Sequence, residues 1–391
     1  MQSKRASGAS VILIKCIVLA VSVVFSIFIA ELVCRYHYYG DLSGVGKTPE
    51  SKFIRYDERM GWSMIPDSEK YFTNSKAGFK GYVRYDENGI RANDNNFDYE
   101  SESILIIGDS VTAGLEVDNN KTYVADLERL FVENGCEYSI YNAGVRGYGT
   151  DQSFWNLERL LDIVKPKYVI YMFNSTDFMD NRTIKQSNRI FGKPVFVLSN
   201  EELIIKNRPA KEYEYTYYAF VEYGADGYKI TEGNVNGTLR AIMDYIKDNL
   251  ALYIPLKALY KKLQVYPTAA IEKTPAYHDV EVLEHILKRM KGLGVELLFA
   301  SFPYKDEEVY IDDFTKISNK LDITYLNLFP YFTEPWENYH WKRDKHWNEK
   351  GHLQAAKALY ELLSPRLCSH SGTPGSRLTS SPEGNSKHII R

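Results

Sequence analysis

An α/β fold, with a parallel sheet covered by helices on both faces, is the architecture this 391-residue sequence predicts. Three observations lead there. Residues 104–107, 168–173, 295–300 and 323–328 are short apolar runs rich in β-branched or aromatic residues, the composition of buried strands. Segments with apolar residues at helical spacing separate them, and this alternation builds a parallel, helix-covered sheet. The residues able to do chemistry fall on turns at the carboxyl ends of those strands, where open α/β sheets place their ligands.

Composition sets the outer limits. A single core stops growing near ~250–300 residues, so the length allows one large domain plus additions. The net charge of -3 gives no field to attract nucleic acid, and no run of Lys or Arg makes a basic patch. The cysteines, Cys16, Cys34, Cys136 and Cys368, are scattered, without the spacing of a metal site or a disulfide framework. No cofactor and no metal is implied.

In chain order, residues 1–10 form a tail with Lys4 and Arg5, expected to be cytoplasmic. Residues 11–34 are apolar apart from Lys15, Glu31 and a few small polar residues, long enough for a helix across a bilayer that needs ~20. Ala20-Val21-Ser22 offers a small-residue cleavage site, but apolar sequence continues beyond it, which favours an uncleaved anchor over a signal peptide. The basic residues ahead of the span keep the amino end inside, although Arg35 just after it weakens the bias. The rest of the chain would then lie outside the cytoplasm.

Residues 35–100 are polar with recurrent aromatics, and read as a membrane-proximal β-rich collar with a hairpin turn at Asn88-Gly89. Residues 101–177 and 276–365 carry the strand–helix alternation, with helices over 121–134, up to 163, around 282–290, near 312–321 and over 349–363. The insertion 178–275 breaks it. There, 193–206 reads as a hairpin, and Tyr213, Tyr215 and Tyr217 share one face of an extended segment, able to stack on sugar rings or simply to pack. Leu252, Leu256, Leu259, Tyr260 and Leu263 make one face of a helix near Pro255, with Lys257, Lys261 and Lys262 opposite, so the region could be a substrate lid. The tail 366–391 is Ser/Gly/Pro-rich and reads as disordered.

Ser110 stands on the turn leaving the strand 104–107 and is a candidate nucleophile. A serine hydroxyl needs a hydrogen-bonded base, and an imidazole base needs a carboxylate to fix its tautomer. Asp344 and His346, on a loop after the last strand, could supply both. An isolated Asp-x-His is common on surface loops; its coincidence with that serine and with a Gly-rich loop at 142–151 gives it weight. His346 and His352 lack metal-ligand spacing, His340 reads as a loop or surface residue, and Asp109 braces the turn.

With these residues in view, the chain resembles the SGNH/GDSL hydrolases. Gly108-Asp109-Ser110-Val111-Thr112-Ala113-Gly114 is similar to the first family block, whose serine is the nucleophile. Asn142-Ala143-Gly144-Val145-Arg146-Gly147 is similar to the second, whose last glycine gives an N–H to the oxyanion. His346-Trp347-Asn348 is similar to the last, with the catalytic histidine. The family aspartate usually stands three residues before that histidine, where this chain has Arg343. The Asp344-x-His346-Trp347 spacing resembles instead SGNH-type proteins of polysaccharide O-acetylation, so the resemblance assigns the orienting role to Asp344. The third block, Gly-x-Asn-Asp in the family, is Asn174-Ser175-Thr176-Asp177 here. Thr176 occupies the oxyanion asparagine's place, and Asn174 could substitute; losing one such donor costs about 10²–10³-fold in rate.

The resemblance implies a three-layer, flavodoxin-like α/β domain and a serine esterase or acyl-transfer enzyme acting on an acylated small molecule or glycan. The other reading is a non-catalytic glycan-binding or assembly protein on the same scaffold. Protein partners are not legible.

Overall fold

The computed structural model describes residues 2–39, 53–74, 77–93, 99, 101–186, 189–213, 217–224, 227–234, 246, 250–253, 255–256, 259, 277–302, 307–342, 344–368 and 389–390. The chain divides into two compact units, one made of Met1–Thr48, Asn74–Lys76 and Asn236–Ile271, the other of the remainder.

In the first unit, helix α1 (Gln2–Tyr39) contains a stretch, Ser10–His37, long and apolar enough to cross a membrane. At 1.5 Å per residue its 28 residues cover about 42 Å. Its apolar side chains between Val11 and Ile29 are exposed. Near its end Glu31 accepts the backbone N–H groups of Ala251 and Leu252 at 2.9 and 3.0 Å and pairs with Arg35 at 2.8 Å, so the polar group is fully engaged. Of the lysine-flanked helix expected near Pro255, Leu256 and Leu259 are exposed. Lys257, Tyr260, Lys261, Lys262 and Leu263, like Tyr215 and Arg343, lie outside the described residues.

The second unit opens with an antiparallel pair, β1 (Ile54–Asp57) with β2 (Gly61–Met64), and a second two-stranded pair, β3 (Glu69–Asn74) with β4 (Phe79–Arg84). Phe53, Trp62, Met64, Phe72, Phe79 and Val83 share one apolar cluster with Leu105 and Ile107, so these strands form a layer on the sheet's own core. After them come β5 (Ser103–Gly108), the short α2 (Ser110–Ala113), α3 (Tyr123–Glu133), β6 (Ser139–Gly144), α4 (Thr150–Val164), β7 (Tyr168–Phe173) and α5 (Thr176–Arg182). The inserted region follows with β8 (Thr183–Lys185), β9 (Val195–Ser199), β10 (Glu202–Lys206), β11 (Tyr217–Gly224) and β12 (Gly227–Asn234), all antiparallel. The hairpin expected over 193–206 is β9–β10; Asn200 and Glu201 turn it with positive φ, as a two-residue turn matched to strand twist requires. The chain then returns to α6 (Tyr277–Lys291), β13 (Glu296–Ser301), α7 (Ile311–Leu321), β14 (Thr324–Asn327), α8 (Glu349–Leu367) and β15 (Ile389–Ile390).

The main sheet runs β6-β5-β7-β13-β14, all parallel, with β15 antiparallel at the edge. Counted along the chain its parallel strands stand second, first, third, fourth and fifth, the flavodoxin-like order whose switch point lies between the first and third. Side chains alternate across each strand. Leu105, Ile107, Val169 and Tyr171 face a cluster with α4, α6 and α7, while Ile104, Ile106, Ile170 and Met172 face another with α3 and α8. Three layers result, and the all-buried strands explain the unbroken apolar runs.

Two features depart from the reading of the sequence. Cys136 and Cys368, 232 residues apart, form a disulfide with Cα atoms 5.1 Å apart, joining the chain just after α3 to the end of α8. The tail therefore does not begin at 366: α8 continues through Pro365, Leu367 is buried, and Cys368 is tied down.

Candidate active site

Ser110 begins α2 directly beyond β5, beside the switch point of the sheet. Asp109 caps that short helix: its Oδ1 accepts the Val111 N–H at 2.9 Å, and its Oδ2 accepts the Asn174 side-chain amide at 3.0 Å from beyond β7. Asp109 thus braces the turn, with Oδ2 also 3.4 Å from Ser110 Oγ. Burial pushes its carboxyl above the usual range, against the opposing effects of the Val111 N–H, His346, Asn174 and Arg146. The second strand's end is equally close. A Cβ on Gly144 would lie 2.4 Å from the Ala113 nitrogen, so glycine is what lets the two segments meet.

His346 reaches this turn from the loop between β14 and α8. Its Nε2 lies 2.9 Å from Ser110 Oγ, and its Nδ1 is hydrogen-bonded to Asp344 Oδ1. A carboxylate only accepts, so Nδ1 carries the proton and Nε2 offers its lone pair to the serine hydroxyl. The two-residue spacing works because the loop folds into a side-chain-capped turn. Asp344 Oδ1 also accepts the backbone N–H of His346 at 3.0 Å, and the Asp344 N–H bonds the Trp341 carbonyl at 3.1 Å. Burial would push the Asp344 carboxyl up, but the hydrogen bond and charge of His346 outweigh it and hold the group at about 2.

Aromatic packing fixes the loop. Trp347 is buried among Phe302, Phe332, Tyr123 and His352. His340 is buried rather than on the surface: its ring stacks on Trp336, its Nδ1 bonds the Trp336 carbonyl at 2.8 Å, and burial lowers its pKa to about 4. His352, also buried and lowered to about 3 by burial first, accepts the Tyr123 N–H at 3.2 Å, which ties α8 to α3.

The expected oxyanion groups lie at the ends of β6 and β7. Gly147 sits with φ +76°, and a Cβ there would fall 2.6 Å from the Arg189 guanidinium. Asn174 is buried, its amide nitrogen on Asp109 and its oxygen accepting the Thr176 N–H at 3.2 Å. Thr176 is exposed at the start of α5. The structure therefore brings Ser110, His346 and Asp344 into one hydrogen-bonded chain and links Asn174 to it through Asp109, whereas Thr176 stands at its margin.

Sequence reasoning missed Glu116. Its buried carboxylate Oε1 is 2.5 Å from the Arg146 guanidinium and 3.3 Å from His346 Nδ1. It stands in an irregular segment with no periodic or motif signal. Glu116, Asp344 and His346 place ligand atoms within 4.8 Å of one another, as a cation site would, but the Arg146 guanidinium already supplies positive charge there.

No family model matches the chain. It is 29% identical to the esterase TesA of Pseudomonas aeruginosa over 77 residues, 20% of this chain and 38% of that protein, and so spans well under half of that relative. Among solved structures, it is similar to TesA at a TM-score of 0.36 and 13% identity, covering 68% of this chain and 99% of that one. A lipase/acylhydrolase from Enterococcus faecalis gives 0.37 and 14%, covering 68% and 97%. In the order of its motifs the chain resembles the SGNH/GDSL hydrolases.

Proposed function

We propose that the protein is a serine esterase or acyl-transfer enzyme of the SGNH/GDSL type. The observation that carries this reading is the chain from Ser110 Oγ through His346 to Asp344, with 2.9 Å between hydroxyl and Nε2. Ser110 attacks an ester carbonyl as its proton passes to Nε2, and Asp344 stabilises the imidazolium. The oxyanion is held by the N–H groups of Ser110 and Gly147, with the second amide hydrogen of Asn174 supplying a further donor. The imidazolium then protonates the departing alkoxide, and water or a sugar hydroxyl, deprotonated by His346, removes the acyl group from Ser110. Thr176, exposed, adds little to the oxyanion site.

We infer that α1 anchors the chain in a membrane and that the catalytic unit faces outward. The apolar stretch Ser10–His37 supports the anchor, and the Cys136–Cys368 disulfide supports an oxidising compartment. That address favours acylated cell-surface glycans as substrates, with no nucleic acid and no cofactor. The test is labelling of the full chain in detergent with a fluorophosphonate, alongside turnover of p-nitrophenyl acetate. The parent should label and turn over, and Ser110→Ala should do neither. Absence of both in the parent would favour the second reading, a non-catalytic glycan-binding or assembly protein, which the exposure of Thr176 in place of the family's oxyanion asparagine supports.

A further inference from the structure

We propose that Glu116 is a positioning carboxylate for His346, acting with Asp344 on Nδ1 and held in place by Arg146. The inference rests on the esterase reading of Ser110 and His346.

The placement of Glu116 is built rather than incidental. Arg91, buried, donates to the carbonyls of Ala113 and Val117, the latter at 2.7 Å, and so clamps the chain on both sides of Leu115-Glu116. From below, β4 presses on the same stretch: a Cβ on Gly81 would lie 2.4 Å from the Leu115 carbonyl oxygen. The side chain of Glu116 is thereby driven inward with no solvent exposure. Replacing Glu116 alone by an apolar side chain would break its buried ion pair with Arg146, so that pair by itself accounts for a structural role. Here, however, Oε1 is shared between the Arg146 guanidinium and the imidazole of His346.

Charge balance shows what the arrangement does. With a neutral imidazole, Asp344, Glu116 and Arg146 together carry one net negative charge. When His346 takes the proton from Ser110 the cluster becomes neutral. Without Glu116 it would start neutral and end positive, in a largely buried site where an uncompensated charge is costly. Glu116 therefore stabilises the protonated imidazole that exists only while the serine is attacking or the acyl group is leaving. Arg146 lies in the same segment as Gly147, so one ion pair fixes both the carboxylate and the loop of the expected oxyanion donor.

Among the described residues, the charged and titratable groups facing His346 are Asp344 and His340 on its own loop, Asp109 and Glu116 after β5, Arg146 after β6, and His352 on α8. The test follows the rate of fluorophosphonate labelling of the full chain in detergent from pH 5 to 9, for the parent, Glu116→Gln and Arg146→Gln. Glu116→Gln should lower the high-pH plateau about tenfold and move the midpoint of the acid limb down by about one pH unit, because loss of a neighbouring negative charge disfavours the imidazolium. Arg146→Gln should move that midpoint up, in the opposite direction, and keeps the test open if Glu116→Gln does not fold. An unmoved midpoint in the folded variants, with or without a slower plateau, overturns the proposal. A parent that takes no label at any pH overturns the esterase reading itself; a labelled parent with an unmoved midpoint overturns only the role of Glu116.

Discussion

The turn carrying Ser110 and the loop carrying His346 meet at a single hydrogen bond, yet they are held by different means. The nucleophile side is regular structure: a fully buried strand, a capped helical turn, and a neighbouring strand end so close that only glycine fits at Gly144. The base side is irregular and rests on side chains: the Asp344 turn, the Trp336–His340 stack and the Trp347 cluster. The difference implies that changes on the base side alter rate and acid response, whereas changes on the nucleophile side alter stability.

The largest effect that sharpens this contrast belongs to Asp344→Asn. It should lower kcat/KM on p-nitrophenyl acetate by about 10³–10⁴-fold, because the amide favours the wrong tautomer of His346. The denaturation midpoint should stay near that of the parent; a parallel collapse of stability would break the comparison. Next comes the acid response of His340. Unfolded, this histidine binds a proton near 6.5; folded, burial delays protonation to about 4. As pH falls through that window the unfolded state holds the extra proton, so stability drops with falling pH. Relative to His340→Phe, the parent should lose about 3 kcal/mol between pH 7 and pH 4, read by urea denaturation. Parallel curves for the two would sink the assignment. The smallest effect is Gly144→Ala, expected to cost about 1–3 kcal/mol, since the new methyl meets backbone that cannot withdraw. A loss below about 0.5 kcal/mol, the range of ordinary surface changes, would show that the nucleophile side yields more than the packing implies.

The parallel strands, the helices between them, Ser110 and the Asp344–His346 pair were legible because each leaves a local mark: an apolar run, a period, a turn residue at a strand's end. Glu116 left none, being an isolated acid in a coil whose position depends on Arg91 from a distant segment. The bond between Cys136 and Cys368 was illegible for the same reason, as only the packing of α3 beside α8 brings them together. His340 reads as polar loop, and its burial comes from the Trp336 ring stacked upon it. At 174–177 the departure of Thr176 from the family pattern was visible, but the engagement of Asn174 with Asp109 needed three dimensions.

Helices α3 and α8 leave the site side by side, and each follows one half of the reacting pair. They are pinned at the front by the Tyr123–His352 bond and at the rear by the bridge between Cys136 and Cys368. The covalent rear pin joins positions 232 residues apart, so without it the two helices would be held by the front bond and their packing. The bridge thus stiffens the pairing of the two helices from the end away from Tyr123.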